Sequence, residues 1–203
     1  RVQGNDFSYY MLFLSNFMLN HTFTANNFQL FPYIHNSSNQ ERRAYQTRPI
    51  YVPDIELTGE LHVFQNEHPE VNVPELMSIT SGSFTDLYGP NDLQISYSYS
   101  SDEPAKEFRE KVKGTFDVLL TVFFIDTASN IIEYVKAASH VLKEQGEWIN
   151  LGPLLWHFEE GGDMQEIILD NGEASSAPTA GLELTKEDLM DLVKHFFNVK
   201  VDT

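Results

Sequence analysis

The sequence predicts an α/β fold with a mostly parallel central sheet, and three observations carry that reading. Residues 118–130, VLLTVFFIDTASN, are a near-continuous apolar run that stops at Asp126, as expected of a strand buried on both faces of a parallel sheet. A helical pattern follows at 131–142, and then a second apolar segment, INLGPLLWHF, which carries His157 just past its strand end. Near the start, RVQGND leads into FSYYMLFLSNFMLN, a strand-end acid before a helix. Sheets of this kind bind ligands beyond the carboxyl ends of their strands. Asp126 and His157 therefore mark the edge where chemistry is expected.

In chain order, RVQGND reads as the tail of a strand ending at Asn5-Asp6. Residues 7–20 are apolar on nearly every face, which predicts a helix enclosed in a large core. Residues 21–58 lack a clear period, and the prolines and Asn/Ser cluster of PYIHNSSNQERRAYQTRPIYVPDI predict an ordered, irregular excursion. The polar, acidic stretch 59–75 reads as loop, and LMSITSGSF at 76–84 as a strand running into a glycine turn. Residues 89–113 read as an insertion with a charged, helical end at 104–113.

After a strand at 116–125, Asn130 can cap a helix whose apolar face is Ile131, Ile132, Val135, Ala138 and Leu142. Lys143 in the last turn and Gly146 beyond it suit helix-end chemistry. Residues 116–151 are thus expected to be a strand-helix-strand unit. Gly161-Gly162 and the stretch 171–181 read as loop. Thr185 can cap a helix over 184–197, with Asp188 at the third position and Leu184 against Leu189 as a hydrophobic staple. The stripe Leu189, Leu192, Val193, Phe196 and Phe197 marks its buried face. VKV at 199–201 reads as the start of a strand.

The 203 residues suffice for a single domain over 1–203. A net charge of -17 argues against nonspecific nucleic-acid binding, which relies on Lys and Arg neutralising phosphates, and equally against anionic membrane surfaces. The absence of cysteine excludes disulfides, thiolate metal sites and thiol nucleophiles. No apolar run reaches the roughly 18–20 residues that span a bilayer, and a cytoplasmic location, or a nuclear one, is the expectation. The seven histidines show no paired spacing on a helix, so no metal is expected. Arg42, Arg43 and Arg48 form the basic cluster of an acidic chain, able to reach an anionic ligand or to pair with nearby carboxylates.

Asp126 admits three roles: a base, an acceptor for a substrate N–H, or the cap of the next helix. His157, between Trp156 and Phe158, is a general base, a substrate contact or a packed residue. Both follow consecutive strands of the expected sheet and so can face one crevice. Asp6 stands where an acid at a strand end accepts hydrogen bonds from ribose hydroxyls in dinucleotide-type folds. Ser83 and Phe84 follow Gly82, where a polar group and a ring could hold a flat base, or form an ordinary turn with a core Phe.

Five segments in order, GNDFSYYMLFLSNFMLN, PYIHNSSNQERRAYQTRPIYVPDI, TSGSF, FFIDTASNIIEYV and INLGPLLWHF, closely resemble the carnosine N-methyltransferase family. The match covers most of residues 3–158 and continues more loosely through 182–201, with polar insertions near 59–75, 89–113 and 171–181. The resemblance implies a Rossmann-like class I methyltransferase sandwich and S-adenosylmethionine as cofactor. It implies methyl transfer to an imidazole nitrogen of carnosine or a related histidine dipeptide, without a metal. By position it places Asp6 at the ribose, Ser83 and Phe84 beside the adenine, and Asp126 and His157 at the substrate imidazole. Ser83 stands where the family has Asp. The family's glycine-rich first strand would precede Arg1 and its last strands would follow Thr203, so the chain is expected to be a piece of a longer protein. The rival readings are methylation of a histidine within a protein, and a non-catalytic cofactor-binding scaffold.

Overall fold

Five residues, Val2–Asp6, form the first strand, β1, and lead through Ser8 into the helix α1 (Tyr9–Asn20). The computed structural model describes residues 1–93, 103–156, 164–168, 174–178 and 181–200, with 164–168 and 176–178 described as backbone pairing. Two compact units divide the chain, Arg1–Gly82 and Ser83–Thr203.

In the first unit, the Ser8 side chain accepts the Met11 N–H and so caps α1. The irregular excursion contains β2 (Phe28–Leu30), the single turn α2 (Arg43–Gln46) and β3 (Ile50–Val52), with β2 and β3 antiparallel. Then come α3 (Leu57–Glu67) and β4 (Met77–Ser81), which pairs in parallel with β1 so that Asp6 lies opposite Ser81. Two expectations fail here. The first half of 59–75 is helix rather than loop: Glu56 accepts the Gly59 N–H at 2.7 Å, and Glu60 lies in the first turn where the helix dipole favours an acid. α1 is not enclosed, for Tyr9, Tyr10 and Phe13 are 81%, 89% and 74% exposed. Its neighbours include β1, β4 and α3, and Phe17 meets the Phe28 ring of β2 at 5.4 Å; within this unit these contacts leave other faces of a helix that is apolar all round open.

The second unit contains α4 (Phe84–Tyr88), α5 (Glu103–Val112), β5 (Phe116–Val122), α6 (Ile131–Val141), β6 (Leu142–Leu151), β7 (Met164–Ile168), β8 (Ala174–Pro178) and α7 (Lys186–Lys194). The strand-helix-strand expectation holds: β5 and β6 run parallel, from Val118 opposite Glu147 to Val122 opposite Leu151. Asn130 caps α6 by accepting the Ile132 N–H at 3.1 Å, and Ile131, Val135, Ala137 and Ala138 are fully buried. The helix stops at Val141, earlier than expected, so Lys143 and Gly146 lie in β6 and Lys143 pairs across the strands with Asp117.

β5 ends at Val122 instead of residue 125, and it is not buried on both faces. Val118, Leu120 and Val122 are about half exposed while Thr121 between them is buried. α6 and its neighbours cover one side of the two-stranded sheet. The stretch 171–181 is not all loop, because β8 pairs antiparallel with β7 from Met164 opposite Pro178 to Ile168 opposite Ala174. Gly161-Gly162 lie outside the described residues, as does Val201; Val199 and Lys200 are not in a strand.

Thr185 caps α7 as expected, accepting the Asp188 N–H at 3.2 Å and donating to the Asp188 carboxylate at 2.7 Å. Leu189 is buried, and Leu184, Leu192, Val193 and Phe197 pack beside Ile125, Ile131, Val135 and Trp156. A second apolar cluster joins Phe84, Tyr88, Val112, Ala137, Val141 and Leu142. The fold of the described residues is thus mixed α/β with small parallel pairings.

Candidate functional site

At the carboxyl ends of β5 and β6 the two strands are held together by a short set of contacts. The Phe123 N–H donates to the Leu151 carbonyl at 2.8 Å. Phe123 has φ +51, the left-handed region that costs a bulky residue roughly 1–3 kcal/mol and persists only where its surroundings over-determine it. Gly152 supplies part of that constraint: a Cβ there would lie 3.0 Å from the Phe123 nitrogen and Cα. The reversed chain then forms a 3-10 turn, Ile125–Thr127, closed by the Thr127 N–H and hydroxyl on the Phe124 carbonyl at 3.1 and 2.6 Å.

That turn carries Asp126, which is 3% exposed. Its Oδ2 accepts the Leu155 N–H at 3.3 Å, from the loop after β6, and among the described residues this is the carboxylate's one hydrogen bond. A carboxylate has about four acceptor sites, and burying one costs several kcal/mol unless its sites find donors. Asp126 thus has the capacity to accept an N–H from a ligand. It does not cap α6, since Asn130 performs that role; of its three sequence roles, the cap is removed.

Aromatic packing fixes the turn from beneath. The Phe124 ring stacks on Tyr134 of α6 at 4.9 Å and 21°, and Phe84 meets both rings edge-on at 5.4 and 5.6 Å. The Tyr134 hydroxyl shares a long 3.5 Å hydrogen bond with the Thr127 hydroxyl, and burial pushes its pKa up. Phe84 therefore occupies the core position, 9% exposed. Ser83 precedes α4, its hydroxyl 3.1 Å from that of Thr85.

His157 lies outside the described residues. Its neighbour Trp156 is buried and donates its indole N–H to the Leu184 carbonyl at 3.0 Å. On the first unit, Asp6 ends β1, half-buried, and its Oδ1 accepts the Ser8 N–H at 2.7 Å. Arg42 lies over the Tyr45 ring at 5.9 Å and Arg48 over Tyr33 at 5.6 Å. Among the described residues no ion pair includes these arginines, and no group of three His, Asp or Glu side chains could hold a metal. Tyr134, Thr127, Gly152 and Leu155 are not singled out by sequence alone. Gly152 carried a signal, being a glycine directly after a strand end.

A family profile described as carnosine N-methyltransferase matches residues 1–203. The chain belongs to the carnosine N-methyltransferase family. The carnosine N-methyltransferase of Schizosaccharomyces pombe is 35% identical over 187 residues, 92% of this chain and 41% of its own length. That of Rattus norvegicus is 33% identical over 201 residues, 98% of this chain and 38% of its own, and that of Dictyostelium discoideum 38% identical over 165 residues, 81% and 29%. The chain therefore spans about two fifths or less of the length of these relatives.

Membership in the carnosine N-methyltransferase family implies S-adenosylmethionine as the methyl donor, and the mixed α/β arrangement with parallel pairs is consistent with a methyltransferase fold. The acid at the end of β1 fits such a group: with Oδ1 on Ser8, the other Asp6 oxygen has no donor among the described residues, which suits a ribose hydroxyl.

Proposed function

We propose that the protein containing these residues is an S-adenosylmethionine-dependent N-methyltransferase, with a Rossmann-like sheet, acting on an imidazole nitrogen of carnosine or a related histidine dipeptide. The single observation that supports it most is Asp126, a buried carboxylate at a strand end with acceptor capacity left over, in a chain whose whole length matches the family.

The cofactor, when bound, supplies a methyl group activated on a sulfonium. The residues of this chain do the rest. An imidazole nitrogen attacks only through a free lone pair, so the proton must sit on the other ring nitrogen. Asp126 accepts that N–H, which fixes the tautomer, orients the lone pair and stabilises the positive charge that develops on the ring. His157 is assigned a substrate contact, Asp6 the ribose hydroxyls, and Ser83 the neighbourhood of the adenine, where Phe84 follows it with its ring packed on Phe124 and Tyr134. Holding the reactants in line accounts for much of the acceleration, since well-oriented intramolecular reactions reach effective molarities of about 10⁵ M or more. A cytoplasmic or nuclear location is part of the same reading.

The test is incubation of the full-length protein with labelled S-adenosylmethionine and either carnosine or a histidine-bearing polypeptide. Label in the imidazole of the dipeptide is the expected result. Label in the polypeptide alone would replace the substrate by a protein histidine. Cofactor binding with no transfer to either would make the protein a scaffold.

A further inference from the structure

The geometry points to Tyr134 as the positioning residue for Asp126, acting through the turn that carries it; this rests on the methyltransferase reading above. The hydrogen bonds within the turn Phe123–Thr127 close its end but do not hold its start. Its first residue is in the left-handed region at φ +51, a conformation that a phenylalanine keeps only under external constraint. The bond from the Phe123 N–H to the Leu151 carbonyl constrains it from the β6 side, where the absent Cβ of Gly152 allows the close approach.

From the other side the constraint is Tyr134, which grips both residues that flank Ile125-Asp126. Its ring stacks on Phe124 at 4.9 Å, and its hydroxyl reaches the Thr127 side chain at 3.5 Å. Thr127 in turn donates to the Phe124 carbonyl at 2.6 Å, closing the turn. Tyr134 is anchored because α6 is held by Ile131, Val135, Ala137 and Ala138, wholly shielded from solvent, and is capped by Asn130. A rigid helix thereby sets the height of the carboxylate above the strand ends. The ring contributes more than the hydroxyl, whose contact is at the long limit of a hydrogen bond.

The test compares the full-length parent, Tyr134→Leu and Tyr134→Phe, with Phe124→Leu as a second way to remove the stack should Tyr134→Leu not fold. Two readouts are taken: methyl transfer with cofactor affinity, and hydrogen exchange of the Leu155 amide, which donates to Asp126, relative to amides within α6. Removing the ring is expected to speed Leu155 exchange at least about tenfold relative to α6 and to lower kcat about 10–100-fold, the scale of an ångström-sized misplacement. Cofactor affinity stays within about twofold, and Tyr134→Phe restores both readouts to within about threefold of the parent, as a preserved stack requires. Unchanged relative exchange at Leu155, or cofactor affinity falling in step with kcat, would overturn the assignment. Should the parent transfer no methyl group, the functional reading fails while the exchange comparison still decides the role of Tyr134.

Discussion

Asp126 and Asp86 are both carboxylates in low-dielectric surroundings, and their different partners give opposite expectations. Asp126 is held by a backbone N–H and retains acceptor capacity, so its charge has a use. Asp126→Asn keeps an oxygen for the Leu155 N–H but loses the charge that would stabilise an imidazolium. In the full-length protein kcat is expected to fall about 10²–10³-fold, the cost typical of removing one preorganised electrostatic contact, with cofactor affinity nearly unchanged. Steady-state kinetics with cofactor titration check this, and equal losses in both would contradict the role. Asp86 has the reverse character: burial raises its pKa, with Arg109 opposing, and its Oδ1 is buried without a hydrogen-bond partner among the described residues. Burial likewise raises Glu133, and the Asp86 charge adds to it. A carboxyl whose folded pKa is raised binds its proton more tightly folded than unfolded. The stability it contributes is full below the ordinary carboxylate value and is lost as pH rises through the folded value. Asp86→Asn should therefore raise the midpoint of thermal unfolding at pH 7, by as much as burial outweighs the attraction of Arg109. The gap to the parent should close as pH falls towards about 4, near the ordinary carboxylate range, and a gap that widened on acidification would refute the assignment.

Helix ends are the elements that local chemistry specifies most directly, and the two caps expected from sequence are formed: Asn130 on Ile132 and Thr185 on Asp188. Replacing either by Ala should cost about 1 kcal/mol in denaturant unfolding with no change in the dependence on denaturant. The Asn130 variant should additionally loosen the turn around Asp126, because α6 carries Tyr134. The strand-helix-strand unit is readable for the same reason, an apolar run, a cap and a helical stripe lying within one stretch of chain. What the sequence does not announce depends on residues far apart. Phe123 adopts a positive φ that nothing in its own identity requires; its reasons are the Leu151 carbonyl and the Gly152 backbone, on the next strand of the sheet. Hence an apolar pattern that runs to residue 125 yields a strand that stops at Val122. The Asp126 partner, Leu155, offers a backbone N–H, which leaves no mark in a sequence. Tyr134 is hidden inside an apolar helical stretch where a ring reads as core. The helix over Leu57–Glu67 reads as loop because its polar composition outweighs the Glu56 cap, and Ala174–Pro178 does so because Ser and Ala are weak strand signals without their partner Met164–Ile168.

At the scale of the whole chain charge dominates, and it sets a competition that salt can decide. Residues 1–203 carry -17, while the ion pairs among the described residues, such as Lys106–Glu103, Lys143–Asp117 and Lys194–Asp191, join side chains that are about half exposed or more. Exposed pairs contribute about 0–1 kcal/mol each, and screening weakens them. Self-repulsion of the net charge opposes the compact state, and screening weakens that as well. The ranges differ. A pair in contact lies well inside the Debye length at any moderate salt, whereas repulsion among carboxylates spread over a unit acts across its full width. The Debye length falls from about 30 Å at 0.01 M to about 10 Å at 0.1 M, against a radius of gyration of about 13 Å for a hundred residues. Added salt therefore removes the long-range repulsion before it removes the contacts. The midpoint of thermal unfolding of residues 1–203 should rise by a few degrees between about 0.01 and 0.1 M sodium chloride at pH 7. Chloride is the suitable salt, because sulfate strengthens apolar burial by exclusion. At about pH 4.5, where carboxylates begin to protonate, the rise should shrink. A midpoint that fell with salt at pH 7 would mean that the surface pairs outweigh the net charge, and Lys143→Ala, which breaks one of them without reducing the negative excess, would then account for part of the fall.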